Sequence, residues 1–554
     1  MNDLSNFPKN GLFFLSLGGI GEIGANCYLY CCNEKWLMID LGISFADEKY
    51  PGVDLLVPKM DFIEKISHNL EAIIISHGHE DHAGAIAYFA DKINCPVYAT
   101  NFAKSLIKNK LKEFNKTDLI DLQTIDTNKE INLKNFKLNF ISITHSIPET
   151  YSIVINTNYG KLLHTADWKI DKDESNGQIF DYKAFKDLGD EGLLALIGDS
   201  TNANVDGHSE SEEDVRNELE KIFSRYDKRI IVTCFSSNIV RMESIGLAAK
   251  KNNRQVAIVG RSMKKTIEAA DENGYIKYLK NFIPEEEVPY IPRENLVIIC
   301  TGSQGEKRSA LYRIAYNAHN HISLEKNDVA IFSSRDIPGN EKSINNLKNL
   351  LIRQNIEIIS ADDELVHASG HGYADELKKM YQWTRPYVSI PIHGEETHLV
   401  AHSKIAQSCQ VPITKLLENG LILELAPNKP KIVGNITTGK MIVEGKNIYD
   451  SDNDFIKDRR KLSFEGIILV TIIINKDYSL HKDIQITQKG LPLDNLSSCI
   501  DNFKENFLNE YIKLNDQQKS SDDIIKTIVK KNIRKIVKSI SSKKPEVNSH
   551  IIRL

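Results

Sequence analysis

A histidine-rich stretch at residues 76–84, Ser-His-Gly-His-Glu-Asp-His-Ala-Gly, follows directly on the apolar run Ala72–Ile75. A β-branched run this short predicts a buried strand, and the polar stretch then lies where that strand meets a loop and the next helix. Functional sites in α/β proteins are built at such strand ends. The fold therefore has to display a cluster of histidines at the end of a buried strand.

His77, His79 and His82 place three imidazoles, with the Asp81 carboxylate, inside six residues. Burying such a cluster is costly unless every lone pair and charge has a partner, and a divalent metal ion satisfies all of them. Imidazole with carboxylate suits zinc or manganese, and the lack of cysteine argues against a structural thiolate site. We expect His77 and His79 to face one ion, and Asp81 and His82 to face a second. A histidine-rich surface loop is the alternative, and the order of residues after a strand disfavours it.

This string resembles the signature of the metallo-β-lactamase superfamily, and the resemblance implies further metal ligands at later strand ends. Three residues stand at such places, namely His145 in Thr-His-Ser, Asp167 in Ala-Asp-Trp, and His393 after the apolar run Val388–Ile392. Each of them alone is better explained as a capping or core polar residue. Together, in the order of the superfamily, they complete two ion sites.

Length and composition limit the number of domains and the kind of protein that this chain can be. A chain of 554 residues exceeds what one hydrophobic core usually serves, so two to four domains are expected. No run is long enough to cross a bilayer, and the opening Met1–Asn6 lacks a basic region followed by an apolar core, so we expect a cytoplasmic protein with no membrane partner. The eight cysteines include no Cys-x-x-Cys pair and are expected to be reduced packing residues. Because the net charge is −5, any attraction to phosphate has to be local.

A glycine-rich loop follows the first predicted strand, Leu12–Leu17. Its Gly19, Gly21 and Gly24 have the spacing of a dinucleotide-binding loop, and Asp40 lies where a ribose-binding acid would be expected. That interpretation requires a helix after the loop, yet residues 26–32 and 36–40 are both strand-like. We therefore predict a tight turn in the first sheet, and the corresponding glycines of the resembled superfamily have that role.

The pattern changes after about Asn202. Up to that point short strands alternate with amphipathic helices, which is typical of two sheets flanked by helices. Beyond the acidic helix start at residues 210–214, four apolar strands with helical stretches between them predict a parallel α/β domain, at residues 229–235, 255–260, 295–300 and 328–332. Because His393 comes only after this region, the α/β block is expected to be an insertion, with the active site in the cleft beside it.

Three further segments narrow the resemblance. They are Phe-Ser-Ser-Asn-Ile-Val-Arg at 235–241, Cys-Thr-Gly-Ser-Gln-Gly-Glu at 300–306 and His-Ala-Ser-Gly-His-Gly at 367–372. With the glycine-rich loop and the C-terminal region, they make nearly the whole chain similar to the ribonuclease J family, in the β-CASP group. The resemblance implies a metallo-β-lactamase αββα sandwich at 1–207 and 373–448, an inserted parallel α/β β-CASP domain at 208–372, and a linker with a small α+β domain at 449–554.

The same resemblance implies roles for the site residues. His77, His79 and His145 would bind one ion, Asp81, His82 and His393 the other, and Asp167 would bridge them. Two divalent ions, Zn²⁺ first with Mn²⁺ or Mg²⁺ as alternatives, would lower the pKa of a shared water so that hydroxide attacks phosphorus in line. The catalytic candidates are His371 as general acid for the departing ribose 3′ oxygen, and Asp199 as the residue that orients a histidine.

In the resembled family a pocket between the domains holds a 5′ monophosphate. The residues at matching places are Ser237, Asn238, His367 and Ser369, whose hydroxyls, amide and nearby backbone N–H groups suit phosphate, although Ser-Ser-Asn is also an ordinary turn sequence. The implied activity is 5′-to-3′ exonucleolytic and endonucleolytic cleavage of single-stranded RNA in mRNA decay and rRNA maturation. Partners in an RNA-degradation or ribosome-associated assembly are implied as well.

The C-terminal region begins with a change of composition after residues 425–431, and Asp450–Asp454 is predicted to be a linker. A strong strand at 466–474 is followed by a helix near 496–514, a second helix with apolar residues at helical spacing from Ile525 to Ile540, and a strand at 550–554. The lysines of the second helix are expected to form a solvated face. The resemblance implies self-association through this domain, as a homodimer or homotetramer.

Three alternatives remain open. A β-CASP nuclease acting on DNA would carry the same ligands, because residue types alone do not separate ribose from deoxyribose recognition. A weakly active RNA-binding subunit of a degradation complex would not need a complete ligand set. A hydrolase of small substrates, such as a thioesterase, would have no use for the large insertion.

Overall fold

The structure, a computed structural model of the chain, describes residues 9–172, 178–337, 339–481, 483–491, 496–541 and 543–554. The opening Met1–Asn6, in which no signal sequence was predicted, lies outside these residues. Two compact units are distinguished: Met1–Phe45, Leu55–Met441 and Gly445–Ile448 form the first, and Ala46–Asp54, Ile442–Glu444 and Tyr449–Leu554 form the second. Among the described residues, no helix has the length and apolar character needed to cross a lipid bilayer.

The first part of the chain alternates strands and helices up to Asp199. Its strands are β1 (Leu12–Gly18), β2 (Cys27–Cys32), β3 (Lys35–Ile39), β4 (Ser44–Phe45), β5 (Leu55–Pro58), β6 (Leu70–Ile74), β7 (Val97–Ala99), β8 (Leu122–Thr124), β9 (Ile131–Asn132), β10 (Lys137–Ser142), β11 (Tyr151–Thr157), β12 (Gly160–His164) and β13 (Ala195–Asp199). Its helices are α1 (Asp61–Ile66), α2 (Glu80–Ala83), α3 (Asn101–Phe114) and α4 (Tyr182–Glu191).

A second set of elements follows between Ser211 and Ser360. Its strands are β14 (Ile230–Thr233), β15 (Gln255–Val259), β16 (Leu296–Cys300), β17 (Val329–Phe332) and β18 (Glu357–Ser360). Its helices are α5 (Glu212–Arg225), α6 (Ile239–Lys251), α7 (Arg261–Glu272), α8 (Ala310–Ala315) and α9 (Glu341–Arg353).

The remaining elements run to the C-terminus. They are α10 (Ala374–Thr384), β19 (Val388–Ile392), α11 (Glu396–Ser408), β20 (Ile413–Thr414), β21 (Leu421–Ala426), β22 (Lys431–Asn435), β23 (Lys440–Glu444), β24 (Asn447–Asp450), α12 (Asp454–Glu465), β25 (Ile467–Ile474), β26 (Gln485–Lys489), α13 (Leu496–Tyr511), α14 (Asp516–Lys519), α15 (Asp522–Ile540) and β27 (Glu546–Arg553).

Two sheets pack face to face in the first unit, which confirms the predicted sandwich. One sheet has the order β22-β21-β1-β2-β3-β6-β7-β8, and the other has the order β20-β19-β13-β12-β11-β10-β9. Phe14 and Leu37 of the first sheet share one apolar core with Ile155 and Ile197 of the second, and all four side chains are fully buried. Burial of each such side chain contributes about 1.5–3 kcal/mol before entropy is counted. Strand β19, which follows the second set of elements, lies parallel to β13.

The inserted elements form a parallel sheet of order β15-β16-β14-β17-β18, as the apolar strands predicted. Alternate residues of β14 point to opposite faces. Ile230 packs with Met242 of α6 on one face, whereas Ile231 packs with Leu311 of α8 on the other. A sheet covered by helices on both faces needs strands that are apolar throughout, which explains the continuous hydrophobic runs of the sequence.

The C-terminal unit has a three-stranded sheet of order β26-β25-β27. Alternate residues of β25, such as Ile468 and Ile472, pack with Phe503 of α13 and Val529 of α15, so the predicted strands and helices are present. The segment predicted to be a linker, Asp450–Asp454, joins β24, which ends at Asp450, to α12, which begins at Asp454. Asn453 caps α12 by accepting a hydrogen bond from Phe455 N at 3.2 Å, and the acidic residue in the first turn favours a helix start.

The glycine-rich loop is the predicted turn. Gly19, Gly21 and Gly24 have φ angles of 88°, 74° and 94°, in the region that favours glycine. The strand β2 follows the loop, where a dinucleotide-binding fold would have a helix. Gly19 O accepts a hydrogen bond from His393 N at 2.6 Å, so the loop supports the strand end that carries a predicted metal ligand.

Candidate active site

The predicted metal ligands lie at one edge of the sandwich, and each follows the carboxyl end of a strand. The 77–82 segment follows β6 in the first sheet. In the second sheet, His145, Asp167 and His393 follow β10, β12 and β19. Strands β12, β13 and β19 are parallel, and β10 has the same direction because it pairs antiparallel with β11, which pairs antiparallel with β12.

The turn that carries Asp81 and His82 is held against the end of β3. Leu41 N donates to His82 O at 2.8 Å, and Ile43 N donates to Glu80 O at 3.0 Å. A Cβ atom on Gly42 would lie 1.6 Å from Asp81 O, so only glycine permits this approach of the two backbones.

The first group of ligand atoms comes from His77, His79, His145 and Asp167. Their ligand atoms all lie within 4.8 Å of one another. Nδ1 of His79 is 3.0 Å from Nε2 of His77 and 3.1 Å from Nε2 of His145. Asp167 Oδ2 is 3.8 Å from Nε2 of both His77 and His145. Three imidazole nitrogens and a carboxylate oxygen thus surround one point.

The second group comes from Asp81, His82, His393 and the same Asp167, again within 4.8 Å. Asp167 Oδ2 is 3.1 Å from His82 Nε2 and 3.8 Å from His393 Nε2. Asp81 Oδ2 is 3.2 Å from His393 Nε2 and 3.5 Å from His82 Nε2. Asp167 therefore belongs to both groups, as a bridging carboxylate would.

The protonation of the first group suits a cation. Burial lowers the pKa of His77 and His145 well below the usual range, and lowers the pKa of His79 to about 4. Burial opposes the ionised form of Asp167, but the neighbouring imidazoles of His393 and His82 hold its pKa well below the usual range. Neutral imidazoles with free lone pairs and an ionised carboxylate are the donors that a divalent ion requires.

The second group carries an excess of negative charge. Burial favours neutral His82 and His393, yet the nearby carboxylates, Asp167 first, raise the pKa of His82 well above its usual value and that of His393 to about 10. Protons on these rings balance the carboxylates at the place where a divalent cation would do so. The residues of both groups therefore fit divalent metal ions.

Asp40 contacts a member of the second group, and the sequence analysis did not assign it there. Its Oδ2 is 2.7 Å from His82 Nδ1, and its carboxylate accepts hydrogen bonds from Ser76 N at 2.8 Å and Ser76 Oγ at 2.9 Å. A carboxylate on the far nitrogen of a ligand histidine fixes the tautomer and the orientation of the ring. The sequence did contain a signal for this contact. Asp40 follows β3, which lies next to β6 in the sheet, and polar residues at the ends of neighbouring strands lie close together.

Two more histidines of these groups are fixed by a partner on the ring nitrogen that points away from the group. His145 Nδ1 lies 2.5 Å from Gly370 O, which belongs to the loop after β18. His393 Nδ1 lies 2.7 Å from Thr201 Oγ1. A Cβ atom on Gly370 would approach the His145 ring to 2.6 Å, so the loop packs directly on a predicted ligand.

The catalytic candidates His371 and Asp199 lie beside the two groups. His371 Nδ1 is 2.8 Å from Asp199 Oδ2 and 3.9 Å from Asp167 Oδ2, and the His371 side chain keeps 20% of its surface exposed. Burial opposes protonation, but Asp199 and Asp167 raise the pKa of His371 above its usual value. The other oxygen of Asp199 accepts a hydrogen bond from Thr201 Oγ1 at 2.8 Å. Asp199 therefore holds the ring of His371 in one orientation.

The residues predicted for a 5′-phosphate pocket occupy two segments. Ser237 and Asn238 precede α6, where Asn238 Oδ1 caps the helix by accepting from Arg241 N at 2.8 Å. His367 and Ser369 lie in the loop after β18, and Ser369 Oγ accepts from Asn202 Nδ2 at 2.7 Å. The amide of Asn238 and the hydroxyl of Ser369 are thus already engaged within the protein, which is also what an ordinary turn and cap require.

Arg241 joins these two segments, and the sequence analysis gave it no role. Its guanidinium is fully buried and bonds both oxygens of Glu212, at 3.0 and 2.8 Å. It also donates to Ser333 Oγ at 2.7 Å and to Val366 O at 3.0 Å, and its Nη1 lies 3.4 Å from His367 Nδ1. Burial, then the charges of Arg241, Arg335 and Lys169, lower the pKa of His367 well below its usual value. Arg241, with its charge balanced by Glu212, therefore ties the start of α6 to the loop that leads to His371.

Comparison with known families assigns most of the chain. Four family profiles match it, described as "Metallo-beta-lactamase superfamily", "Ribonuclease J, beta-CASP domain", "Zn-dependent metallo-hydrolase RNA specificity domain" and "Ribonuclease J C-terminal domain", at residues 20–232, 227–351, 359–410 and 454–554, respectively. The profiles thus match most of the sandwich, most of the inserted sheet, the loop with His371 and most of the C-terminal unit.

Curated relatives agree with the profiles. Ribonuclease J of Sinorhizobium meliloti is 37% identical over 549 residues, which are 98% of this chain and 97% of the relative. Ribonuclease J of Thermus thermophilus is 34% identical over 85% of this chain and 84% of the relative. Ribonuclease J 1 of Streptococcus pyogenes is 36% identical over 86% and 85%, respectively.

A solved structure supports the fold alone. The crystal structure of a protein of unknown function from Enterococcus faecalis V583 superposes with a TM-score of 0.52 at 14% identity, and covers 74% of this chain and 99% of the other. The ligand groups fit divalent metal ions, and the profiles and relatives span nearly the whole chain. The chain therefore belongs to the ribonuclease J family of metal-dependent, hydrolytic ribonucleases.

Proposed function

We propose that this protein degrades single-stranded RNA from the 5′ end, one nucleotide at a time, prefers 5′-monophosphate ends and also cuts internally, in mRNA decay and rRNA maturation. The observation that carries the proposal is the convergence of seven side chains into two groups that share Asp167. The loop of His367 and His371 lies directly on these groups through Gly370 and His145.

The two groups would hold two divalent ions, which we propose to be Zn²⁺, with Mn²⁺ or Mg²⁺ as alternatives. When bound, such ions supply an acidified water as nucleophile and positive charge for the phosphate oxygens of the scissile bond. The chain itself holds the ligand side chains in fixed orientations, because His82, His145 and His393 each have a partner on the opposite ring nitrogen.

His371 is proposed to protonate the departing 3′ oxygen. Its Nδ1 is engaged by Asp199 at 2.8 Å, so Nε2 is the atom that can hold and deliver a proton. Asp199 acts through His371, because its own oxygens are occupied by His371 and Thr201. General acid catalysis of this kind typically contributes a factor of about 10² to 10⁴ in rate.

Replacement of His371 tests this role. We expect His371→Ala to lower turnover of RNA by a factor of about 10² to 10⁴, because protonation of the leaving group is lost. Metal content, measured by mass spectrometry, should stay near that of the wild type, because Asp167 and the other members of the two groups remain. If metal and activity are lost together, His371 acts as a ligand and the assignment is wrong.

The proposed 5′-phosphate pocket comprises Ser237, Asn238, His367 and Ser369. Its support is the convergence of the two segments, because Arg241, which is paired with Glu212, joins the start of α6 to the His367 loop and lies 3.4 Å from His367 Nδ1. A monophosphate would fit such a pocket, whereas a triphosphate adds bulk and charge.

The function is tested by digestion of one RNA sequence that carries either a 5′ monophosphate or a 5′ triphosphate, with added Mn²⁺. We expect faster release of mononucleotides from the monophosphorylated RNA, and slow internal cutting of the triphosphorylated RNA. Single-stranded DNA of the same sequence is the control that shows whether the enzyme prefers RNA to DNA. Equal rates on the two RNA ends would exclude the proposed 5′-phosphate pocket. Faster digestion of DNA than of RNA would show that DNA is the substrate.

The C-terminal unit is proposed to join chains into a homodimer or homotetramer. It exposes large apolar side chains, among them Phe464 at 66%, Leu469 at 41% and Ile512 at 64%. Exposed apolar area of this kind is costly in water and is typical of interaction surfaces. We expect the full chain to be a dimer or tetramer by light scattering, and a chain that ends before Ile448 to be a monomer. A truncated chain that stays oligomeric would contradict the proposal.

A further inference from the structure

Glu376, in the first turn of α10, is a fully buried residue to which the site described above gives no role. A buried carboxylate is costly unless hydrogen-bond donors surround both of its oxygens. Its Oε1 accepts from Ile170 N at 2.7 Å and from Ser209 Oγ at 3.0 Å. Its Oε2 accepts from Ser209 N and from Tyr373 N, each at 2.8 Å. Four donors thus engage the two oxygens inside the protein.

Helix capping accounts for only one of these bonds. Tyr373 precedes α10 and Glu376 is the third residue of this helix, the spacing at which a glutamate commonly accepts from the backbone N–H before its own helix. Ile170 and Ser209 lie 206 and 167 residues away along the chain, so their bonds have no part in capping. The carboxylate therefore joins three segments that are distant in the sequence.

Two of the three segments carry residues of the candidate active site. Ile170 lies three residues after Asp167, and Tyr373 lies two residues after His371. His371 Nδ1 is 3.9 Å from Asp167 Oδ2, so the two segments bring the proposed general acid next to the carboxylate that both ligand groups share. Glu376 binds the backbone of both segments just behind these side chains.

The loop that carries His371 packs closely on the same surroundings. Gly372 N donates to Trp168 O at 2.7 Å, which joins the two segments directly through their backbones. A Cβ atom on Gly372 would lie 3.2 Å from Glu376 Cβ, so little space separates the loop from the glutamate. A change in the bonds of Glu376 would therefore be transmitted to the loop.

We propose that Glu376 is a positioning residue, which holds the His371 loop against the Asp167 segment so that the general acid lies next to the departing 3′ oxygen. The inference rests on the proposed function, in which His371 supplies a proton. Attack of hydroxide forms a new P–O bond and breaks the bond from phosphorus to the 3′ oxygen. The proton of His371 converts that oxygen into the 3′ hydroxyl. A displaced imidazole leaves the attack possible but slows the proton transfer.

Two RNA substrates separate positioning of the acid from a general loss of structure. Both carry a 5′ monophosphate, and one has sulfur in place of the 3′ oxygen at the first linkage. A thiol is a far stronger acid than an alcohol, so sulfur leaves as a thiolate without a proton from the enzyme. Both rates are measured with Mn²⁺ on one preparation. The ratio of the oxygen rate to the sulfur rate then reports proton donation, whatever the folded fraction.

Glu376→Gln keeps the size of the side chain but turns an NH₂ group toward two of the four donors. We expect kcat on the oxygen substrate to fall about a hundredfold, with KM within about threefold of the wild type. The rate on the sulfur substrate should stay within about threefold of the wild type. Ser209→Ala removes one donor and is the milder variant, which should lower the ratio at least about threefold. A wild-type ratio in either variant would overturn the proposal.

Asp375→Asn is the matched control. It removes the neighbouring carboxylate of the same helix turn, which is partly exposed and pairs with Lys378 of its own helix at 2.8 Å. Both rates should equal those of the wild type. A ratio lowered as much as in Glu376→Gln would show that the effect comes from charge at the helix start, and would contradict the positioning role.

Hydrogen exchange of the metal-free, full-length protein, followed by mass spectrometry, gives a measurement that does not depend on catalysis. The backbone amides of Ile170, Ser209 and Tyr373 donate to Glu376. They should exchange faster in Glu376→Gln than in the wild type and in the control. Unchanged exchange would show that Glu376 does not hold these segments.

His371→Ala separates failure of this inference from failure of the proposed function. This variant should be slow on the oxygen substrate and close to the wild type on the sulfur substrate, because only the first needs the acid. Equal loss on both substrates would show that His371 is not the general acid. If His371→Ala recovers on sulfur and Glu376→Gln does not, the positioning role of Glu376 alone is refuted.

Discussion

Asp167→Asn is expected to lower the rate of RNA hydrolysis by at least about a thousandfold, or about 4 kcal/mol in activation free energy. One oxygen, Oδ2, lies 3.1 Å from His82 Nε2 and 3.8 Å from Nε2 of His77, His145 and His393, so it belongs to both ligand groups. An amide is a much weaker ligand than a carboxylate and carries no charge, so both sites lose affinity for a divalent ion. Steady-state cleavage of a labelled RNA measures the rate.

The metal content of the same preparation separates this cause from misfolding. We expect the wild type to retain two divalent ions per chain after dialysis, and Asp167→Asn to retain less than one, with unchanged circular dichroism. Asp187→Asn, the same substitution at an exposed position of α4, serves as the control and should keep both metal and activity. Activity of Asp167→Asn within tenfold of the wild type would show that Asp167 does not bridge two ions.

Arg241→Met is expected to destabilise the protein by about 3–5 kcal/mol, because it leaves the carboxylate of Glu212 buried without a partner. Arg241 is fully buried and Glu212 is 3% exposed, and the pair is joined by two hydrogen bonds of 3.0 and 2.8 Å. Unfolding in urea, followed by circular dichroism, measures the loss. Arg225→Met at the exposed pair with Glu364 is the control, and should cost less than about 1 kcal/mol.

A double variant separates stability from positioning. Arg241→Met/Glu212→Leu should recover most of the lost stability, because replacing a buried ion pair by apolar side chains of similar volume is often close to neutral. Its activity should remain low, because Val366 O and Ser333 Oγ lose their common donor and the loop that carries His367 and His371 is no longer held. Full activity of this double variant would show that Arg241 is needed for stability alone.

Part of the two ligand groups could be predicted from the local sequence pattern and from the chemistry of buried histidines. His77, His79 and His82 follow a short β-branched run, and a buried cluster of that kind needs a cation. The resemblance to a known superfamily then supplied His145, Asp167 and His393, which are distant along the chain. The structure brings all of these residues together with Asp81 in two groups.

The residues that escaped sequence analysis act through contacts between distant segments. Asp40 contacts His82, 42 residues away along the chain, and was considered only as a ribose-binding candidate. Arg241 contacts Val366, 125 residues away. Neither partner is signalled by periodicity or by a local motif, because the contact exists only once the sheets have assembled.

Diffraction from crystals grown with Zn²⁺ or Mn²⁺, recorded at the absorption edge of the metal, tests the central claim most directly. Two anomalous peaks are predicted in each chain, one among His77, His79 and His145 and one among Asp81, His82 and His393, with Asp167 contacting both. A single peak, or peaks away from Asp167 while its neighbours stay in place, would contradict the account of a two-ion centre.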